Sequence, residues 1–414
     1  MLALQGVIIS FRDTLVTKGR LETEIFSEVE KLIRFLKLRA VNFAVLANDD
    51  WYLTDKEGKR YSLVERLRNR WGHFEYFCSS TDSCVPRKPR SDATKYVVNK
   101  MGWEPTSVVY IGASEIDAFT ATNGDLLFLR ATWFGEYTDY GLPFSSPLDI
   151  CRFIDTFCLR EHWWFMVIED DPFRFYSLAT FSTYKRAHEL YSQDARNAAK
   201  FGRGHPEFWL AALVTSVYFT GLHQEMNYIA VVPGHRQGSG NNVMDETLDL
   251  FAKCFRAKYL PDLVMRHTTA QKMQHARTSK IPIDHRTQLD SILLKRLPMK
   301  RPGEPYKTPP VKPNKTVLVI DDFCTNGYSM ESVRAYIEQT GVKVIMVSWL
   351  KTINSDILGL GQLPKFNPYV ANTFEHTPVA KVYGYHQHAT DHLASEEIDE
   401  MFRQYEDWIW PDGV

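Results

Sequence analysis

Asp321 and Asp322 stand side by side at the end of the apolar run Val317-Leu318-Val319-Ile320, and Phe323-Cys324-Thr325-Asn326-Gly327-Tyr328-Ser329 follow directly. Two adjacent carboxylates accept hydrogen bonds, so they suit a ribose diol, directly or through Mg²⁺. Thr325 and Ser329 add hydroxyl donors, and Gly327 permits a close backbone approach. A helix starting near Ser329 would aim its unpaired N–H groups and positive dipole end at this turn, where a phosphate is favoured. Cys324 shares that position, so its thiol pKa is expected to fall if it is more than a small filler.

The elements that must hold these residues alternate strand and helix. Short apolar runs at Gly6–Ile9, Val41–Leu46, Val108–Ile111 and Leu126–Leu129 predict buried parallel strands, with a helix over Ile25–Leu38. Gly135–Pro147 reads as a loop, and Leu148–Leu159 as a helix closing a first domain. Trp163–Ile168 and Phe173–Phe181 read as a strand pair, followed by helices over Lys185–Phe201 and Pro206–Thr220. The second half adds a strand at Tyr228–Val232, a helix at Asp245–Tyr259, a strand at Thr316–Ile320, a helix at Ser329–Thr340 and a strand at Lys343–Trp349. Met299–Pro313, rich in Pro and Lys, reads as a surface loop or linker. The expected fold class is α/β, with two Rossmann-like parallel-sheet domains at 1–158 and 159–385 and a tail helix within 386–414.

A chain of 414 residues suits two or three domains, and a formal net charge of -1 argues against a whole-surface electrostatic grip on nucleic acid. The six cysteines are scattered without a C-x-x-C pair, which points to a reducing compartment instead of a zinc site or disulfide framework. No apolar run approaches the roughly 20 residues that span a bilayer. A soluble cytoplasmic protein without a membrane partner is expected.

The segment from Val317 to Ser329 resembles the phosphoribosyl pyrophosphate motif of type I phosphoribosyltransferases, with Asn326 where that motif has a second Thr. Upstream, Asn197-Ala198-Ala199-Lys200-Phe201-Gly202, the strand Ile229-Ala230-Val231-Val232-Pro233 and the stretch from Arg266 to Arg277 are similar to the ComF-type subgroup in order. The resemblance covers roughly Trp163 to Tyr385. It implies that phosphoribosyl pyrophosphate binds with Mg²⁺, that Asp321 and Asp322 hold the ribose, and that Gly234, His235 and Arg236 bind pyrophosphate. The subgroup's acceptor segment corresponds to Gly238-Ser239-Gly240-Asn241-Asn242, which departs from its pattern. Lys200 alone reads as a solvated helix-end cation, and His267 and His275 as surface or structural residues.

The first 155 residues resemble haloacid-dehalogenase-type (HAD) phosphatases, with little room for a cap domain between the first two motifs. The family nucleophile Asp aligns with Ser10 and its acid/base Asp with Arg12 in Gly6-Val7-Ile8-Ile9-Ser10-Phe11-Arg12-Asp13. The second-motif Ser/Thr aligns with Ala47 and the first metal-binding acid with Ala113; only Lys88 and Asp117 persist. An aspartyl-phosphate cannot form without the carboxylate, and a cation at Arg12 opposes Mg²⁺. The resemblance therefore implies a pseudo-phosphatase, whose Arg12 and Lys88 are expected either to hold a phosphate uncleaved or to serve only as scaffold. Asp13 is the residue at hand to stand in as nucleophile, but its register points it elsewhere.

Two functions remain. One is a phosphoribosyltransferase-like enzyme carrying an inactive HAD-like module for a ligand or protein partner. The other is a non-catalytic ribose-phosphate or nucleotide sensor. The pairing of folds resembles accessory proteins of bacterial stress or phage-defence operons. Local basic charge at Arg266–Arg286 and Lys295–Lys315 admits a weaker nucleic-acid reading.

Overall fold

The computed structural model describes residues 4–18, 20–54, 57–237, 243–269, 284–301 and 303–414. The first half runs β1 (Gly6–Ile9), α1 (Thr23–Leu38), β2 (Asn42–Ala47), α2 (Leu63–Trp71), β3 (Glu75–Cys78), α3 (Ser91–Met101), β4 (Val108–Gly112), α4 (Glu115–Asn123), β5 (Leu127–Ala131), β6 (Leu142–Phe144) and α5 (Pro147–Phe153). Its strands form one six-stranded parallel sheet in the order β6-β5-β4-β1-β2-β3. Every residue of β1, β4 and β5 is buried, as expected of strands covered on both faces. The strand order reverses between β1 and β4, so the crevice above their carboxyl ends is the topological switch point.

The second half runs β7 (Met166–Asp170), β8 (Phe173–Phe181), α6 (Arg186–Phe201), α7 (Pro206–Phe219), β9 (Tyr228–Val231), α8 (Asp245–Cys254), β10 (Lys258–Tyr259), β11 (Val264–Arg266), α9 (His285–Leu289), β12 (Ile292–Leu294), β13 (Thr316–Cys324), α10 (Tyr328–Glu338) and β14 (Lys343–Thr352). The pair β15 (Ile357–Leu360) and β16 (Val379–Tyr383), the short α11 (Tyr385–His388) and α12 (Leu393–Tyr405) follow. The second sheet has the order β7-β8-β14-β13-β9-β10. All its neighbours are parallel except the antiparallel β7–β8 pair. Its switch point lies between β9 and β13.

Several local expectations change. Gly135–Pro147 is not all loop: Leu142–Phe144 adds an edge strand to the first sheet. The helix expected over Asp245–Tyr259 stops at Cys254, because Arg256 takes a left-handed φ of 56° and Lys258–Tyr259 then pairs with β9. The strand expected to end at Ile320 continues to Cys324, since β14 keeps pairing as far as Lys351. The Pro- and Lys-rich loop holds a small hairpin pairing Met299 with Pro305. The last helix is no free tail: Ile398, Met401, Phe402 and Tyr405 are buried, and it packs on α6 and β8.

The two sheets share one continuous core. At its centre lies α7, in which 11 residues from Phe208 to Phe219 are buried on every side. It contacts the Ile154–Cys158 turn and Pro105–Ser107 of the first half, and β8, α6 and α8 of the second. Tyr218 donates to the Val108 carbonyl at 2.5 Å, tying α7 to the first sheet. His205, the N-cap of α7, is held by Asp194 Oδ1 at 3.0 Å and Glu406 Oε1 at 2.6 Å. Burial pulls the His205 pKa down, but the two carboxylates outweigh it and the net shift is upward.

Trp209→Ala is expected to cost about 3–5 kcal/mol, the range for emptying a large aromatic site. Urea unfolding followed separately in each half should shift as a single transition. Because the folded His205 pKa is raised, its stabilisation is complete below the ordinary value of 6.5 and is lost as pH rises through the folded value. The stability gap between the unaltered protein and His205→Gln should therefore be larger at acidic pH and shrink toward alkaline pH in pH-resolved thermal melts.

Candidate functional site

The first switch point carries the residues singled out at Ser10, Lys88, Ala113 and Asp117. Ser10 follows β1, Ala113 follows β4, and Asp117 lies in the first turn of α4. Lys88 enters from the loop before α3, where its backbone N–H donates to Asn48 Oδ1 at 2.7 Å and its carbonyl accepts from Asn48 Nδ2 at 3.0 Å. Its ammonium donates to Asp117 Oδ1 at 2.7 Å, Ser10 Oγ at 3.1 Å and Tyr110 OH at 3.3 Å. The other oxygen of Asp117 accepts from Ser114 Oγ at 2.6 Å and Ser114 N at 3.1 Å. Side-chain exposure is 7% for Lys88 and 0% for Asp117. Burial alone would raise the Asp117 carboxyl, but Lys88 and Ser114 hold it below the usual range.

The chemistry of this pocket follows from that pairing. Ser10 Oγ meets a charged ammonium that is itself neutralised, so no base is at hand to activate it. Arg12 is exposed and does not join Lys88 in the buried cluster. Ala47 is buried and offers no hydroxyl. Asp13 sits at a left-handed φ of 56° and accepts from Thr17 Oγ1 at 3.0 Å. Of the two roles expected for Arg12 and Lys88, anion seat or scaffold, Lys88 is joined to Asp117 inside the protein while Arg12 stays exposed.

The second switch point gathers the other set. Asp321 and Asp322 are half-buried at the carboxyl end of β13, and Asp321 pairs with Ser348 of β14. Asp321 Oδ1 accepts from Asp322 N at 2.9 Å, and Asp322 Oδ1 from Phe323 N at 2.8 Å. Burial raises the Asp321 carboxyl well above the usual range and adjacent Asp322 adds to it, with Arg266 opposing. Burial also raises Asp322, opposed by bonds from Asp321 and Phe323 and by the charge of Lys200. Lys200 is thus not a bystander to the carboxylates, although it is exposed at the end of α6.

Gly234, His235 and Arg236 follow the neighbouring parallel strand β9 to the same edge of the sheet. Arg266 clamps this turn: Nε donates to the Gly234 carbonyl at 2.6 Å, while its terminal nitrogens donate to Ser291 Oγ at 2.5 Å and Gln288 Oε1 at 3.0 Å. Burial lowers the Arg266 pKa to about 10. His235 and Arg236 are exposed. Gly238–Asn242 and the part of the basic stretch from Ala270 to Ile283, with His275 and Arg277, lie outside the described residues.

Beyond Asp322 the chain turns through Thr325 and Asn326 to Gly327, the N-cap of α10 at a φ of 81°. A Cβ there would meet Ile357 Cγ2 at 2.8 Å, so the glycine is needed for the turn and for close passage of β15. The helix starts at Tyr328, with Ser329 in its first turn. Burial pushes the Cys324 thiol up to about 12, outweighing nearby cationic Lys351, which fits the small filler role over the reactive one. Phe323 packs against Phe181 with ring centroids 4.6 Å apart. Sequence reading missed Lys351 and understated Lys200 and Arg266; a lone lysine inside the apolar run of β14 was the available signal.

No protein-family model matches the chain, and no curated protein matches it. Among solved structures, a Had-superfamily hydrolase from Ehrlichia chaffeensis is 15% identical over 37% of this chain and 98% of its own, with a TM-score of 0.27. A subfamily IA HAD-superfamily hydrolase from Geobacter sulfurreducens is 14% identical over 36% of this chain and 98% of its own, with a TM-score of 0.25. A Lactobacillus delbrueckii protein provisionally named a phosphoglycolate phosphatase is 24% identical over 31% of this chain, with a TM-score of 0.25. The chain spans 53% of the length of that protein. These likenesses concern the fold of about a third of the chain.

Lys88→Met strands a buried carboxylate and is expected to cost about 3–5 kcal/mol. The double variant Lys88→Met with Asp117→Asn removes both charges and should recover most of that loss in urea titrations. Equal stability of the single and double variants would show that the pair does not hold the pocket.

Proposed function

We propose that the second half of the chain binds phosphoribosyl pyrophosphate, or a related ribose phosphate, with Mg²⁺ and transfers or releases the phosphoribosyl group. The observation that carries this reading is the pair Asp321–Asp322 at the switch point. Two adjacent carboxylates with raised proton affinity precede the turn before a helix N-terminus, on the strand next to the one that leads to the clamped Gly234 turn. Such a pair favours a partner that supplies hydroxyl donors or positive charge, as a ribose diol or a hydrated cation does.

Asp321 and Asp322 are the residues that would hold Mg²⁺. Among the described residues no group of three or more His, Cys, Asp or Glu is disposed around a metal, so substrate phosphates must complete its shell, as is usual for this ion. When bound, Mg²⁺ offsets negative charge on the leaving pyrophosphate. The chain's own part is to fix the ribose by its diol, seat the 5-phosphate on the Thr325–Ser329 turn, and present His235 and Arg236 from the neighbouring loop. In this reading the first half is a ligand- or partner-binding module without phosphatase chemistry. The support is the absence of a carboxylate at Ser10 and the neutralised Lys88–Asp117 pair.

Isothermal titration should give saturable binding of phosphoribosyl pyrophosphate with Mg²⁺ to the full chain, and Asp321→Asn with Asp322→Asn should weaken it at least about tenfold. Unchanged affinity in that variant would sink the reading. Pyrophosphate release with a panel of nucleobases separates turnover from sensing: binding without release makes the protein a sensor. Metal-dependent phosphatase activity abolished by Ser10→Ala would overturn the role given to the first half.

A further inference from the structure

Lys351 is a fully buried cation that the proposed function leaves without a role. It lies in β14, paired in register with Cys324 of β13, and is 0% exposed. Its ammonium reaches the back of the turn that follows Asp322. It donates to the Thr325 carbonyl at 2.8 Å, to Ser355 Oγ at 2.7 Å, to the Ser355 carbonyl and to the Thr352 carbonyl at 3.3 Å. The Tyr385 ring covers it, with the ammonium 5.5 Å from the ring centroid. Ser355 Oγ also donates to the Thr325 carbonyl, at 3.2 Å.

Placing a charge there is costly unless the site needs one. A buried ammonium is tolerated only when its donors are satisfied, and a neutral donor would serve the same carbonyls with a smaller desolvation cost. The turn explains the choice. The peptide between Thr325 and Asn326 is trans, so its C=O and N–H point in opposite directions. Drawing the Thr325 carbonyl inward onto Lys351 turns the Asn326 N–H away from the ammonium. The Asn326 side chain donates to the Asp356 carbonyl at 3.1 Å, and the Asn326 backbone carbonyl accepts from Leu358 N at 3.0 Å, so the turn is held from both sides. The N-terminal end of α10 adds its partial positive charge on the same turn.

We infer that Lys351 is a positioning residue for a phosphate group on the Thr325–Ser329 turn. It orients the Thr325–Asn326 peptide and holds a full positive charge behind the seat, without touching the ligand. The inference rests on the ribose-phosphate reading of this site. It adds a preference: with a fixed cation behind the turn, the phosphate dianion is bound in preference to the monoanion.

Binding of ribose 5-phosphate to the full chain tests this, measured by titration calorimetry across the second phosphate ionisation near pH 6. The unaltered protein should bind more tightly as pH rises through that step. Lys351→Gln keeps a donor for Thr325 but removes the charge; it should bind about tenfold more weakly at neutral pH and lose the rise. Lys351→Arg keeps the charge and should retain the rise. A merely structural role would lower affinity equally at every pH, so an unchanged slope in Lys351→Gln overturns the inference. Loss of the slope in Lys351→Arg overturns it as well, even where Lys351→Gln does not fold. An unaltered protein that binds no ribose 5-phosphate at any pH sinks the functional reading itself, a result distinct from the first two.

Discussion

The constraint on which the rest depends is the burial of α7. A helix apolar on every face needs cover on every side, and neither sheet alone can supply it. The aromatic side chains of Phe208, Trp209, Tyr218 and Phe219 are buried between the two halves, and α12 closes the remaining side through Phe402 and Tyr405. The two sheets consequently form one core and not two beads on a linker. The Tyr218 hydroxyl bonds the Val108 carbonyl at the start of β4, so the helix also fixes the strand that leads to the first switch point.

The two switch points sit in similar topological settings and treat charge in opposite ways. In the first, Lys88 and Asp117 meet at 2.7 Å inside the protein, and hydroxyls of Ser10, Ser114 and Tyr110 use up their remaining hydrogen-bonding capacity. The net charge of that cluster is zero. In the second, two carboxylates are adjacent, and burial raises their proton affinity despite the fields of Arg266 and Lys200. The first arrangement pairs opposite charges; the second sets like charges side by side.

Much of this was readable along the chain because buried parallel strands leave short, continuous apolar runs. Gly6–Ile9, Val108–Ile111 and Val317–Ile320 stand out for that reason, and the acids and glycine after the last run fall at the strand's carboxyl end and the N-cap of the next helix. What escaped depended on partners far away in sequence. Leu142–Phe144 looks like loop because of Pro143, yet an edge strand tolerates a proline. Nothing local tells that β13 runs on past Asp321; only its pairing with β14 does so. The Cys324 thiol follows burial, not the helix dipole, and burial is a property of the assembled core.

The position of Lys351 carries the same lesson to the site's chemistry. A lysine inside a strand whose neighbours Trp349 and Leu350 are wholly buried must be compensated, and its compensation comes from the Thr325 carbonyl of the turn that follows the acidic pair together with the Thr352 carbonyl and, beyond its own strand, Ser355. The carboxylates at the front of the site and the cation at its back are then separated by a single turn of chain. Strand register sets this arrangement, placing Cys324 opposite Lys351 and Asp321 opposite Ser348.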